Sequence, residues 1–430
     1  MPFEGLDIHP HLIRAVHEAG YTRPTPIQTA AIPPALDGRD LIGTAQTGTG
    51  KTASFLLPML HRMILSGTKG RALGLVLTPT RELAVQVETQ LRSLGKYAGI
   101  RSVAVYGGAS METQTRALRA GVEIIIATPG RLLDHINRGN ARLGQIEFLV
   151  LDEADRMLDM GFLPDIRKII LALPKKRQTM LFSATMPQEI VKLTREILSD
   201  PLSVHIGGEG RAAVGIRHAA YPVPQRLKVD LLLTLLRDTD MLSVLIFSRT
   251  KHGADRLVHT LTRAGFKAGA LHADRTQSQR LNTLEGFRRG QIQILVATDI
   301  AARGIDVANI SHVINFDLPS TPETYVHRVG RTARAEAMGD AFTLVSPEEE
   351  RMLRSIEKSL GPAIPRVKLP DFDYRAASAT TRLAPAPVST DSARPGRKRP
   401  VSTGRYSFQS ERGRNTYTRR EPGGGRGNAR

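Results

Sequence analysis

The chain contains no cysteine. That absence excludes disulfides, thiolate zinc sites and thiol nucleophiles together, and it fits a reducing, cytoplasmic setting. No run of about 18 apolar residues occurs, so no membrane-spanning helix is expected. The opening stretch, Met1 to Pro10, lacks the basic and apolar segments of a secretory signal. Acidic residues are in short supply: 41 Asp and Glu stand against 60 Lys and Arg, a formal net charge of +19. That balance suits a polyanionic partner such as nucleic acid. The excess is uneven, because residues 376–430 hold 12 Lys and Arg against 3 Asp and Glu.

A length of 430 residues, 41% of them hydrophobic, is too much for one ordinary domain and enough for real cores. One pattern recurs along it. A short run rich in Val, Ile and Leu ends in a small or polar cluster, and a helical pattern follows. It occurs at 72–83, 122–133, 146–155 and 179–187, then again at 243–251, 293–306 and 312–319. Continuous apolar runs of this length suit strands buried on both faces, and their alternation with helices implies parallel sheets. The units are too many for one sheet. The Gly-rich stretch His205 to His218 has no apolar periodicity and marks the break. The expected class is α/β, with two parallel-sheet domains in tandem. Residues 1–29 precede the first domain at 30–206, 207–216 link it to the second at 217–366, and 367–430 form a basic tail. The tail is rich in Arg, Pro, Ser, Thr and Gly and poor in large aliphatics, so it is expected to be disordered.

Ligands of open parallel sheets bind beyond the carboxyl ends of the strands, where every polar cluster noted above falls. Ala45 to Thr52 reads AQTGTGKT. Gly48 and Gly50 let backbone N–H groups wrap a phosphate, Lys51 is placed for the β and γ phosphates, and the Thr52 hydroxyl for Mg2+. The usual first glycine of such a loop is missing, replaced by Ala45. About a hundred residues on, LVLDEAD supplies the acidic element a P-loop enzyme needs. Asp152 would hold Mg2+, and Glu153 would orient or deprotonate the attacking water. Asp155 falls out of alternation and is expected to bond elsewhere in the domain. A lone DEAD run also reads as the solvated start of a helix. The second half has no Gly-rich loop ending in lysine, so one ATP per chain is expected, on the first domain. HRVGRTAR at 327–334 would then reach it from the second, since arginines stabilise a transferring phosphoryl group; its plain alternative is a basic surface helix.

These segments, in this order and spacing, resemble the DEAD-box ATP-dependent RNA helicases over about residues 3–345. The matching pieces include YTRPTPIQ ending at Gln28 (the Q motif), PTREL, GG, TPGR, SAT, QSQR and ATDIAARGID. The resemblance implies two RecA-like domains and accounts for Ala45, since alanine is usual there in that family. It implies ATP contacts from Tyr21, Gln28, the loop residues Ala45, Gln46, Thr47, Gly48, Thr49, Gly50, Lys51 and Thr52, and Asp306. Gln28 would read the adenine edge, Tyr21 would stack near the base, and Asp306 would approach the ribose. Phe3 stands where the family keeps an upstream aromatic. Arg331 and Arg334 would be arginine fingers, with Ala333 between them where glycine is usual. Ser183 and Thr185 would couple ATP to RNA through Asp155 and His327. RNA contacts would come from Pro79, Thr80, Arg81, Gly108, Thr128 and Arg131, and from Arg249, Gln277, Arg280 and Thr298.

Loops at strand ends offer backbone N–H groups, Thr hydroxyls and Arg forks, which suit phosphate oxygens rather than bases. Little sequence specificity is therefore expected. The function expected is RNA-stimulated ATP hydrolysis coupled to closure of the two domains and local, non-processive unwinding. An ATP-gated RNA clamp and a tail-driven RNA chaperone are the alternatives. The brief tail looks like the bacterial RhlE-type subgroup, and ribosome-assembly or RNA-decay proteins are possible partners.

Overall fold

The computed structural model describes residues 2–45, 48–67, 70–206, 215–302, 310–332 and 339–376. The strands of the first lobe are β1 (Leu41–Thr44), β2 (Gly74–Leu77), β3 (Ser102–Val105), β4 (Ile124–Ala127), β5 (Phe148–Leu151), β6 (Gln178–Ser183) and β7 (Leu202–His205). They form one seven-stranded parallel sheet in the order β3-β4-β2-β5-β6-β1-β7. In the second lobe, β8 (Ile216–Pro222), β9 (Val244–Phe247), β10 (Ala268–Leu271), β11 (Ile294–Ala297), β12 (His312–Asn315) and β13 (Gly339–Val345) form a six-stranded parallel sheet. Its order is β10-β11-β9-β12-β13-β8. The two tandem parallel-sheet domains expected from the apolar runs are present.

Why those runs are continuous is visible in the cores. Val76 of β2 packs into one core of the first lobe, while its neighbours Leu75 and Leu77 pack into the core on the opposite face. In the second lobe Val244 and Ile246 of β9 face one core, and Leu245 and Phe247 the other. β2 and β9 are each covered on both sides, so neither set of their alternating side chains meets water.

The packing sets the limits of the two lobes. Residues 1–29 are part of the first lobe: Phe3, Leu12, Val16 and Ile27 are buried in the same core as Val76. The second lobe begins before 217 and runs past 366. Gly215 already accepts a backbone hydrogen bond from Gly339, and Val367 donates to Ala220 on the outer edge of β8. Phe372 and Tyr374 pack edge to face, 4.9 Å apart, against the core behind β9. Apolar contact and an open sheet edge order this segment despite its polar flanks. The expected disordered tail beyond it, 377–430, lies outside the described residues. No helix among the described residues is long and apolar enough to cross a membrane.

The strand order places the chemistry. β6 lies between β1 and β5, so the segment after Ser183 sits between the loop that follows β1 and the acidic pair that follows β5.

Candidate functional site

A cavity of about 290 Å³ opens at the carboxyl edge of the first sheet. Gly48, Gly50, Lys51 and Thr52 line it from the β1 loop, Asp152 and Glu153 from the end of β5. The helix Lys51–Ser66 starts directly behind the loop, so its positive end faces the cavity. Lys51 is buried and donates to the carbonyl of Ala45 at 2.8 Å. Gly50 sits at φ 92°, and a Cβ there would stand 2.4 Å from the Gln28 amide nitrogen. This position therefore requires glycine on two counts.

Gln28 is fully buried. Its amide oxygen accepts from the N–H of Thr25 at 2.9 Å, completing a capping box on the helix Pro26–Leu36, and its amide nitrogen donates to the Gly50 carbonyl at 3.1 Å. The observed geometry is thus a tether between the helix start and the phosphate-type loop, with Gln28 in the cavity wall. Tyr21 lines the same cavity; its hydroxyl accepts from Gln90 at 2.5 Å, and Phe3 meets its ring edge-on at 6.2 Å. Leu83, Gln86, Val87 and Gln90 complete that wall from the helix Arg81–Leu94, which the sequence reading did not place at this pocket.

Asp152 is buried beside Lys51. Burial holds its carboxyl proton up to about pH 7 against the pull of the lysine. Glu153, the next residue, adopts left-handed backbone at φ 51° and ψ 54°. Asp155 turns away from the cavity. Its Oδ2 accepts from the Thr185 N–H at 2.8 Å, the Thr185 hydroxyl at 2.9 Å and the Ala184 N–H at 3.2 Å. Ser183 Oγ accepts from the Asp155 N–H and donates to the Thr185 carbonyl. Burial raises the Asp155 pKa, but Lys51, His327 and the bonds from Thr185 outweigh it and hold the carboxyl ionised.

The second lobe reaches this site. Arg331, 3% exposed, lines the same cavity as Lys51 and Glu153. It follows the helix Pro322–Val329 and donates to the His327 carbonyl at 3.3 Å. That helix is clamped from within its own lobe by Arg328, which makes a bidentate pair with Asp299 at 2.6 and 2.8 Å and lies 4.8 Å over the Phe247 ring. Burial, reinforced by Arg156, lowers the His327 pKa from the ordinary 6.5 to about 4. Gln46, Thr47, Asp306, Ala333 and Arg334 lie outside the described residues.

The expected RNA residues divide into two groups. Thr80 caps the helix Arg81–Leu94, its hydroxyl accepting from Leu83 N–H at 3.2 Å, with Pro79 buried before it. Arg81 lies over Gly108, where φ is 85° and a Cβ would stand 2.1 Å from the guanidinium. Arg131 donates to the Ala109 carbonyl at 3.0 Å, and Thr128 starts the helix Pro129–Asn137. These five form one edge with Gly108. Across the second sheet, Arg249 is largely exposed and pairs with Glu349 at 3.2 Å, and Thr298 ends β11 half-buried. Gln277 and Arg280 both turn to Glu82 of the first lobe, at 3.3 and 3.0 Å, and Arg280 is buried. A carboxylate in the first turn of the Arg81–Leu94 helix draws them into an interlobe contact. Besides Leu83, Gln86, Val87 and Gln90 of the cavity wall, Glu82 and Arg156 also went unnoticed in the sequence, although each lies inside a noted motif or beside one.

The DEAD/DEAH box helicase family model matches residues 25–193, and the helicase conserved C-terminal domain matches 227–336. The DEAD-box ATP-dependent RNA helicase CshA of Bacillus cereus is 42% identical over 371 residues, 86% of this chain and 70% of that protein. The chain belongs to the DEAD-box ATP-dependent RNA helicases. The helicase DeaD of Buchnera aphidicola is 44% identical over 86% of this chain and 61% of its own. Among solved DEAD-box structures, S. cerevisiae Dbp5 bound to RNA and ADP BeF3 superposes with a TM-score of 0.77 at 30% identity, covering 86% of this chain and 95% of that one. Mss116p bound to ssRNA and AMP-PNP gives 0.76 at 27% identity, covering 85% and 78%. As a DEAD-box helicase the protein is an ATPase built on two RecA-like domains.

Proposed function

We propose that this helicase separates short RNA duplexes locally and without processive travel, by closing its two lobes on ATP and RNA together and reopening after hydrolysis. The observation that carries this reading is Arg331 in the wall of the cavity that holds Lys51, Asp152 and Glu153. The loop and the acidic pair come from one lobe and the arginine from the other, so a γ-phosphate in the cavity is complete in its contacts only when the lobes meet. Glu153 orients or deprotonates the attacking water, and loss of the γ-phosphate removes what held the arginine.

Mg2+ fits the donors present: a buried carboxyl at Asp152, poised to exchange its proton near neutrality, and the Thr52 hydroxyl on the same cavity wall. When bound, the ion would neutralise phosphate charge. RNA phosphates are taken by the edge built from Thr80, Arg81, Gly108, Thr128 and Arg131, and by Arg249 and Thr298 opposite. Overall agreement with the RNA- and nucleotide-bound Dbp5 at TM-score 0.77 supports this lobe arrangement. It exceeds the 0.52 found with a DEAD box protein of Methanococcus jannaschii, although that protein is nearer in sequence at 37%. A second reading, an ATP-gated RNA clamp, draws on the buried contact of Arg280 and Gln277 with Glu82. The basic segment 377–430 adds nonspecific strand affinity. The narrower RhlE-type placement is proposed without help from the relatives above, which bear other names.

The test is reciprocity. In a Glu153→Gln variant that binds ATP without hydrolysing it, RNA should tighten ATP and ATP should tighten RNA by the same factor. Isotherms with no mutual effect would sink lobe closure.

A further inference from the structure

We infer that Arg156 is the positioning residue for Glu153, aiming its carboxylate and making that aim depend on the second lobe. The inference rests on Glu153 as the water-directing group proposed above. Arg156 stands three residues after Glu153, one turn along the helix Ala154–Asp159, where the two side chains share a face. Its side chain is 5% exposed and that of Glu153 8%, with Nε 3.5 Å from Oε2. A guanidinium this deep needs an anion nearby, and the charge that Glu153 carries serves it.

The character of the contact matters more than its existence. Glu153 Oε2 is buried with no hydrogen-bond partner among the described residues. Buried polar atoms are nearly always hydrogen-bonded, so an orphan one at a cavity wall asks for a reason. Arg156 holds the oxygen by charge at 3.5 Å without occupying it through a formed hydrogen bond. That oxygen is pinned on the buried side, while Glu153 as a residue lines the nucleotide cavity.

Dependence on the other lobe follows from what surrounds the guanidinium. Arg156 lines a small cavity with Asp299, Thr324, His327, Arg328 and Arg331, all of the second lobe. Arg328 is spent on Asp299 and Asn315, and His327 is kept neutral at pH 7. Arg331, also cationic, lines the same small cavity, so among the described residues no anion of the second lobe other than Asp299, already paired with Arg328, borders Arg156 there. With the lobes apart, this wall is gone and Arg156 is free to turn to solvent. Arg156 thus links lobe contact to the aim of Glu153, a task distinct from the transition-state contact assigned to Arg331.

Steady-state hydrolysis and nucleotide binding of the full chain, with RNA, would be compared in wild type, Arg156→Met and Arg156→Lys. A misaimed catalytic group costs up to about a hundredfold. The expected result is a kcat lowered by about ten- to a hundredfold in Arg156→Met, with ATP affinity and KM near wild type and most of the rate recovered in Arg156→Lys. Wild-type kcat in Arg156→Met, a loss of ATP affinity in step with kcat, or equal losses in both variants would overturn the inference. If Arg156→Met fails to fold, Arg156→Lys still decides: a soluble Lys variant as slow as Glu153→Gln contradicts a role carried by charge. Hydrolysis surviving in Glu153→Gln would instead overturn the reading on which the inference rests.

Discussion

Glu153 is held in left-handed backbone, which costs a non-glycine residue on the order of 1–2 kcal/mol. Such strain persists only where surrounding contacts over-determine it, and it clusters at working sites. Here the N–H of Glu153 donates to Asp152 at 3.0 Å on one side, and the Asp155 bonds to Thr185 fix the chain on the other. His327 is a second residue whose state depends on the junction. Burial first and Arg156 second, with Arg331 adding to them, hold its pKa at about 4, against the opposing pull of Asp155 and Glu153. The arrangement with the lobes in contact therefore binds fewer protons than one with His327 in water. Contact should be unaffected above about pH 6.5 and weaken progressively as pH falls toward 4. An interlobe fluorescence distance in the presence of ATP and RNA would follow this, and His327→Gln should flatten the dependence. Equal acid sensitivity in the two proteins would place the cause elsewhere.

At the scale of elements, the helix Arg81–Leu94 runs from the proposed RNA edge to the wall of the nucleotide cavity. Its first turn carries Arg81 over Gly108 and Glu82 toward the second lobe, while Leu83, Gln86, Val87 and Gln90 face the nucleotide cavity. A rigid helix transmits a shift at one end to the other. Arg280→Ala would leave the Glu82 carboxylate without its charged partner. Lobe contact should weaken by about 1.5–3 kcal/mol, the range for hydrogen bonds to charged groups. The expected phenotype is a loss of RNA-stimulated turnover with nucleotide binding to the first lobe retained; an unchanged RNA response would remove Glu82 from the coupling. Legibility in the sequence follows the same physics. The doubly covered strands β2, β4, β5, β6, β9, β11 and β12 announced themselves as apolar runs. The edge strands β3, β7, β8 and β10 did not: β7 and β8 leave residues exposed, and β3 and β10 are short and carry Ala or Gly, while interior β13 is interrupted by Asp340 and Thr343. Central β1 was also hidden, because Gly43 breaks its apolar run to make room for the Phe182 ring, 2.5 Å from where a Cβ would stand. The phosphate-type loop and acidic pair were legible because their chemistry is local. Glu82 and Arg156 were not: Glu82 meets Arg280 only where the lobes touch, and Arg156 meets Glu153 only through a left-handed turn that the residue pattern does not announce.

For the molecule as a whole, the limits of the folded part have a consequence. A chain ending at Asp371 loses Phe372 and Tyr374 from the second lobe's core, whereas one ending at Ala376 keeps both. Truncation after Asp371 should lower the melting temperature relative to truncation after Ala376. Both truncations should weaken RNA binding most at low salt, because each removes the basic segment. Equal melting temperatures would mean the two aromatics add nothing to the fold. In the proposed cycle, closure of the lobes on one shared ATP site is what couples RNA to hydrolysis. The measurement that tests it most directly is steady-state ATP hydrolysis at one moderate salt concentration, without nucleic acid, with single-stranded RNA and with matched DNA, beside a Glu153→Gln control. Strong stimulation by RNA alone, absent in the control, is the predicted result. Equal rates with and without RNA would contradict the coupling of the RNA edge to the cavity that Arg331 completes.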